Sequence, residues 1–103
     1  MFNHIGMLTL TETATAGDRA AIATGLTGLV GQIDGLVSAK VATDLGLTEG
    51  NAGVVFILEF ASEQAWREYG AHPAHKAVIA SAIAPVLQAK AFIQADGFVE
   101  ARA

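Results

Sequence analysis

The sequence predicts an α+β fold, a four-stranded antiparallel sheet with its helices on one face, and three observations carry that prediction. Four stretches alternate or run apolar over strand-like lengths, and the regions between the first and second and between the third and fourth carry apolar residues at three- and four-residue spacing. The resulting order is strand, helix, strand, strand, helix, strand. A chain of 103 residues holds one domain, here 1–103, and leaves no length for a second.

The first strand is expected over Phe2–Leu10, with Phe2, His4, Leu8 and Leu10 on one face and Asn3, Ile5, Met7 and Thr9 on the other. After a Thr-rich turn, Asp18 reads as the N-cap of a helix in which Ile22, Leu26, Leu29, Val30 and Ile33 recur on one side, ending before Asp34-Gly35. Gly25, Gly28 and Gly31 lie inside that helix at a cost of up to about 1 kcal/mol each. Tertiary packing must therefore hold it, or a neighbour must approach it closely. Leu36–Asp44 reads as the second strand, and the Gly46 to Asn51 region turns it into a hairpin with the third. In that third strand Val54, Val55, Phe56, Ile57 and Leu58 are all apolar, so both faces need cover.

Ser62 is placed to cap a short helix that carries Ala65, Trp66 and Tyr69 and ends near Gly70. Pro73 opens the next helix, with Ala77, Val78, Ile79, Ile83, Val86 and Leu87 as its apolar surface and Pro85 bending or ending it. Lys90–Asp96 is the expected fourth strand. This order is the split βαβ, or ferredoxin-like, arrangement. One sheet face is left bare with no chain to cover it, and a second copy packed sheet to sheet about a two-fold axis is the economical cover. A homodimer is expected on burial alone, in keeping with a hydrophobic fraction of 52%.

Composition excludes several functions. Six Lys and Arg against ten Asp and Glu give a formal charge of −4, with the basic residues scattered singly, which argues against a nucleic-acid partner. No cysteine occurs, so disulfides, thiolate metal sites and cysteine nucleophiles are out. The N-terminus lacks a basic signal-peptide region, and no apolar run reaches the roughly 20 residues of a membrane span. A cytoplasmic protein without membrane association is the expectation.

Acid-base chemistry concentrates in one stretch. Two of the three histidines, His72 and His75, and the only tyrosine, Tyr69, fall within seven positions. Histidine exchanges a proton near neutral pH and a tyrosine hydroxyl can steady a developing oxyanion, a pairing suited to proton transfer on a carbonyl substrate. Residues six apart on one continuous helix would point about 240° apart, so Tyr69 and His75 can meet only if Gly70 and Pro73 break the helix between them. His72 and His75 also have i, i+3 spacing. A metal would need a third ligand that the spacing does not supply, and His72, preceding Pro73, suits a turn, so no metal is expected. His4 shares a strand face with Leu8, where it is either a satisfied core histidine or part of a pocket. Trp66, at helical spacing from Tyr69, reads as core or interface. The three helical glycines do not follow a strand and form no dinucleotide fingerprint.

The segment Tyr69-Gly70-Ala71-His72-Pro73-Ala74-His75 resembles the YxxHPAH-like segment of the stress-responsive dimeric A/B barrel (Dabb) family. Phe2-Asn3-His4-Ile5 resembles that family's opening strand, Ile33-Asp34-Gly35-Leu36 its turn into strand two, and Phe60-Ala61-Ser62 the lead into its motif helix. The resemblance spans nearly the whole chain. It implies a dimeric α/β barrel with a pocket between sheet and helices in each subunit, and a family that includes stress-induced proteins without a known reaction and polyketide cyclases of the olivetolic acid type. In such a cyclase the tyrosine and second histidine of the motif carry an aldol-type ring closure without a cofactor. The matching positions are Tyr69, as oxyanion donor, and His75, as base. His4 would line the pocket, and His72 is carried with it as a candidate substrate contact. Gly6 stands where a larger apolar residue is usual, and the Gly46–Asn51 loop departs from the cyclase pattern, so pocket shape differs. The expected ligand is a small hydrophobic carbonyl compound. The alternatives are a stress-linked binding or structural dimer without turnover, and a cofactor-independent monooxygenase of the related dimeric-barrel type, for which no motif is present.

Overall fold

The computed structural model describes residues 1–103. Along the chain lie β1 (Phe2–Leu10), α1 (Ala16–Thr27), β2 (Leu36–Thr43), β3 (Val54–Phe60), α2 (Glu63–Ala71), α3 (Pro73–Val78) and β4 (Leu87–Ala95). A π-helical turn at Ile79–Ile83 and a 3₁₀ turn at Ala84–Val86 lead into β4. The four strands form one antiparallel sheet in the order β2-β3-β1-β4, the ferredoxin-like arrangement.

The expected N-cap of α1 is corrected by three residues. Thr15 caps the helix, its Oγ1 accepting from Asp18 N at 3.1 Å, while Asp18 Oδ2 accepts from Thr15 N at 2.9 Å. Asp18 is thus the returning partner of a capping box, a role its side chain fits as well as that of cap. The helix also stops earlier than its apolar spacing suggests, because Gly28 caps its C-terminus and Gly31 adopts φ +91°. Leu29 and Ile33 remain buried from the turns that follow, while Val30 is exposed. Gly25 explains why a helix rich in glycine holds here: a Cβ on it would sit 2.9 Å from Val78 Cγ1, so its absence lets α1 and α3 close on each other.

Strand four is longer than expected at its start, beginning at Leu87, because pairing with β1 continues past a register shift to Leu10 opposite Leu87. The helical segment opened by Pro73 is α-helical to Val78 and runs on without a break through the π and 3₁₀ turns, ending at Val86 beside Pro85. The core lies between sheet and helices, where Leu8, Ile22, Leu26, Leu58 and Phe60 are almost wholly buried. Each such side chain contributes roughly 1.5–3 kcal/mol by burial. The opposite sheet face carries Ile5, Met7, Val55, Ile57 and Ile93, and Met7 and Ile93 are 50% and 59% exposed in the single chain. An apolar strand face left open in this way is a surface for association. No helix is long and apolar enough to cross a membrane.

Candidate functional site

Between the inner sheet face and the helices lies a cavity of about 570 Å³, within the size range of small-molecule sites. Its floor follows from the alternation of β1, which points His4, Gly6 and Leu8 inward. Gly6 pairs with Phe56 on one side and with Phe92 on the other, and a Cβ on it would lie 2.3 Å from Phe56 Cζ and 2.8 Å from Phe92 Cδ1. The missing side chain lets the two rings lean over the strand and meet edge to face at 5.9 Å. The larger residue usual at this position is replaced by aromatic surface from both neighbours.

His4 is buried among aromatic rings, with centroids 5.1 Å from Phe92, 5.4 Å from Phe56 and 5.9 Å from Trp66. Its cross-strand partner is Gln94, whose Nε2 donates to His4 Nδ1 at 3.0 Å. Nδ1 is therefore the acceptor nitrogen, and the neutral ring carries its proton on Nε2. Burial, and secondarily repulsion from His75, lowers the His4 pKa to about 4, so the ring is neutral at physiological pH. It is a hydrogen-bond donor that carries no charge.

The helical side of the cavity brings Tyr69 and His75 together. Their ring centroids are 4.1 Å apart because α2 ends at Ala71 and His72 is extended, with ψ 134°, before Pro73 starts α3. The break required by the sequence is present. His75 Nδ1 donates to the Gly70 carbonyl at 3.3 Å, which leaves Nε2 as the basic nitrogen. Burial is the main cause of a lowered His75 pKa; the Gly70 bond opposes it, and His72 and Lys76 add to it. Burial likewise raises the Tyr69 pKa, so its hydroxyl stays protonated and can donate. Tyr69 lines the cavity, and no buried side-chain polar atom of the chain lacks a partner, so its hydroxyl is not stranded.

Of the four candidate site residues, the structure gathers His4, Tyr69 and His75 around one cavity and leaves His72 outside its wall. His72 Nδ1 accepts from Ala74 N at 3.0 Å, capping α3, so the ring is occupied in holding the turn. Trp66, read from sequence as core or interface, also lines the cavity, as do Lys90, Phe92 and Gln94 from β4. The β4 residues were legible only through the β1–β4 register, which places each of them beside an inward residue of β1. No three His, Cys, Asp or Glu side chains gather where they could share a metal ion.

The four-stranded antiparallel sheet with its helices on one face is a ferredoxin-like α+β fold, and in this chain it encloses an aromatic-walled cavity beside a paired histidine and tyrosine. The profile of the stress responsive A/B barrel domain matches residues 2–96, and the chain belongs to that family. It is similar to a dimeric ferredoxin-like protein of unknown function from Thermobifida fusca, at 30% identity over 90% of this chain and 87% of that one, with a TM-score of 0.78. Two further structures share the fold at low identity. A hydroxynitrile lyase from Passiflora edulis matches at 14% identity, over 91% of this chain and 90% of its own, with a TM-score of 0.76. SnoaB, a cofactor-independent oxygenase from Streptomyces nogalater, matches at 11% identity over 96% and 94%, with a TM-score of 0.75. No curated protein matches the chain.

Proposed function

We propose that this chain is a homodimer in which each subunit's cavity binds a small hydrophobic carbonyl compound and moves a proton on it without a cofactor, as a polyketide cyclase or lyase must. The observation that carries the reading is the His75–Tyr69 pair, 4.1 Å apart on one wall of a 570 Å³ cavity, with the buried neutral His4 on the adjoining wall. His75 Nε2 takes a proton from the carbon next to the carbonyl. The Tyr69 hydroxyl, with His4 Nε2–H beside it, donates to the oxygen as it gains charge. Both donors are neutral, so they meet the developing charge without requiring a buried ion beforehand. The aromatic walls hold a flexible substrate in a folded shape, and proximity then brings its carbanion to a second carbonyl.

Dimerisation is supported by the apolar outer face of the sheet and by the dimeric state of the Thermobifida fusca relative. The hydroxynitrile lyase and the oxygenase indicate that this fold accommodates enzyme chemistry, in the oxygenase without a cofactor, and the lyase reading is favoured here because its acid-base groups can be named.

The test is deuterium exchange into the methyl group of acetophenone in D₂O, followed by proton NMR. The wild-type protein is expected to accelerate exchange above buffer, and His75→Ala to lose about 10²–10⁴-fold, the usual worth of a positioned base. Exchange at the buffer rate in wild type, or an acceleration that survives His75→Ala, would refute the proton-transfer reading. If acetophenone also binds, a binding dimer without turnover remains.

A further inference from the structure

The wall of the cavity carries a charge pattern that the proton-transfer reading does not use. The chain has ten acidic residues and a net charge of −4, yet none of the sixteen residues lining the cavity is acidic, and two of them, Arg67 and Lys90, are basic. The two cations differ. Arg67 is already paired, its Nη2 lying 2.7 Å from Glu63 Oε2, and it sits over Trp66. The Lys90 side chain makes no ion pair or hydrogen bond and instead holds its ammonium over the Phe92 ring, 5.2 Å from the centroid.

The β4 register gives that lysine its meaning. Gln94, Phe92 and Lys90 stand opposite His4, Gly6 and Leu8, so they form a row along one wall. The row runs from a polar end at His4, across the half-exposed ring of Phe92, which lines the cavity, to a free ammonium. With the ammonium 5.2 Å from the Phe92 centroid and that centroid 5.1 Å from His4, the cation and the imidazole are no more than about 10 Å apart. A flat ring with a carbonyl on one side and an acid group on the other fits within that limit. A cation over an aromatic face is weakly held and can turn to an anion without breaking a bond of its own.

We infer that the cavity selects a flat, conjugated carbonyl compound that carries a negative charge at its far end, with its ring on Phe92 and its anionic group on Lys90. This rests on the pocket being a carbonyl-binding site, and it adds the charge and the orientation of the ligand. Arg67, at the Trp66 end and already neutralised by Glu63, has no part in that contact. The negative exterior and the basic wall together favour anions inside and few outside.

The test uses 4-acetylbenzoate and its uncharged methyl ester, titrated against the full-length protein while backbone amide shifts around Trp66 and Gln94 are followed by NMR. At low salt the acid is expected to bind about fivefold more tightly than the ester, the size of an exposed charge pair. The preference should fade with added NaCl. Lys90→Met, which keeps the aliphatic stem, should bring acid and ester to equal affinity, Lys90→Glu should favour the ester, and Arg67→Met should leave the preference intact. Equal binding of acid and ester by wild type, or loss of the preference in Arg67→Met, would overturn the assignment to Lys90 while the carbonyl pocket stands. Failure of both probes to shift the cavity amides would remove the pocket reading and this inference together.

Discussion

Acid should destabilise this protein through its buried His4, and the size of that effect follows from its burial. His4 titrates near pH 4 in the folded chain and near 6.5 when unfolded, because the native ring sits among Phe56, Trp66 and Phe92 and faces His75. Its folded pKa is depressed, so the unfolded chain binds a proton that the folded chain refuses. The stability is complete above pH 6.5 and is lost as pH falls toward 4. Between pH 7.5 and pH 4.5 the difference amounts to about 2.5 kcal/mol, a large share of the roughly 5–15 kcal/mol that holds a domain together. His75, whose pKa burial also lowers, responds to pH as well, and comparison with His4→Met isolates the His4 part, since Met fills a similar apolar volume and does not titrate. Urea unfolding at fixed protein concentration measures both proteins at both pH values. Wild type should lose about 2.5 kcal/mol more than His4→Met, a relative midpoint shift of about 0.8–2.5 M for slopes of about 1–3 kcal/mol/M. Parallel losses in the two proteins would mean that the native ring takes its proton near 6.5, and the argument for a neutral donor in the cavity would fail.

Gly6→Ala should cost about 1–3 kcal/mol in the same assay, because its Cβ meets Phe56 and Phe92 at 2.3 and 2.8 Å; adding Phe92→Leu on the exposed edge should recover part of the loss. A neutral Gly6→Ala would contradict the close packing of the two rings. Ile57→Glu, on the open sheet face, should give monomers by light scattering at concentrations where wild type is dimeric, and a stable dimeric variant would place the interface elsewhere. His72→Ala should destabilise by about 1 kcal/mol through loss of the α3 cap, while His72→Asn, whose side chain can also cap, should lose much less; equal losses would argue for a role of the ring other than capping.

The element order was legible because strand and helix periods differ and the chain keeps to them. The boundaries that moved did so for local reasons. Thr15 and Asp18 are both good caps, and composition cannot rank two residues that end up serving each other. Leu29 and Ile33 continue a helical spacing yet are buried from turns, since burial follows position in the fold and not helicity. Val86 and Leu87 extend the apolar surface of the preceding segment, which hides the start of β4 until its pairing with Leu10 is known. The site divides along the same line. Tyr69 and His75 are close in sequence and separated by visible breakers, so their meeting could be foreseen. Gln94 and His4 are ninety positions apart, and nothing short of the strand register joins them.

The motif's two histidines have complementary tasks in making that break. In a continuous helix the Ala74 N–H would bond to the Gly70 carbonyl, the ordinary i to i−4 link. Here both groups are released by the turn at His72, and each is taken up by an imidazole. His72 Nδ1 accepts from Ala74 N at 3.0 Å, and His75 Nδ1 donates to Gly70 O at 3.3 Å. Neither backbone group is left unpaired, so the break carries little of the penalty that a severed helical bond would otherwise bring. The same exchange fixes the chemistry. Because the Gly70 carbonyl can only accept, His75 must hold its proton on Nδ1, and its other nitrogen is the base. Because Ala74 N–H can only donate, His72 is held as an acceptor and kept out of the cavity. One broken helical hydrogen bond thus sets the tautomer of the proposed base, sets its distance to Tyr69, and explains why two histidines three residues apart end up with different work.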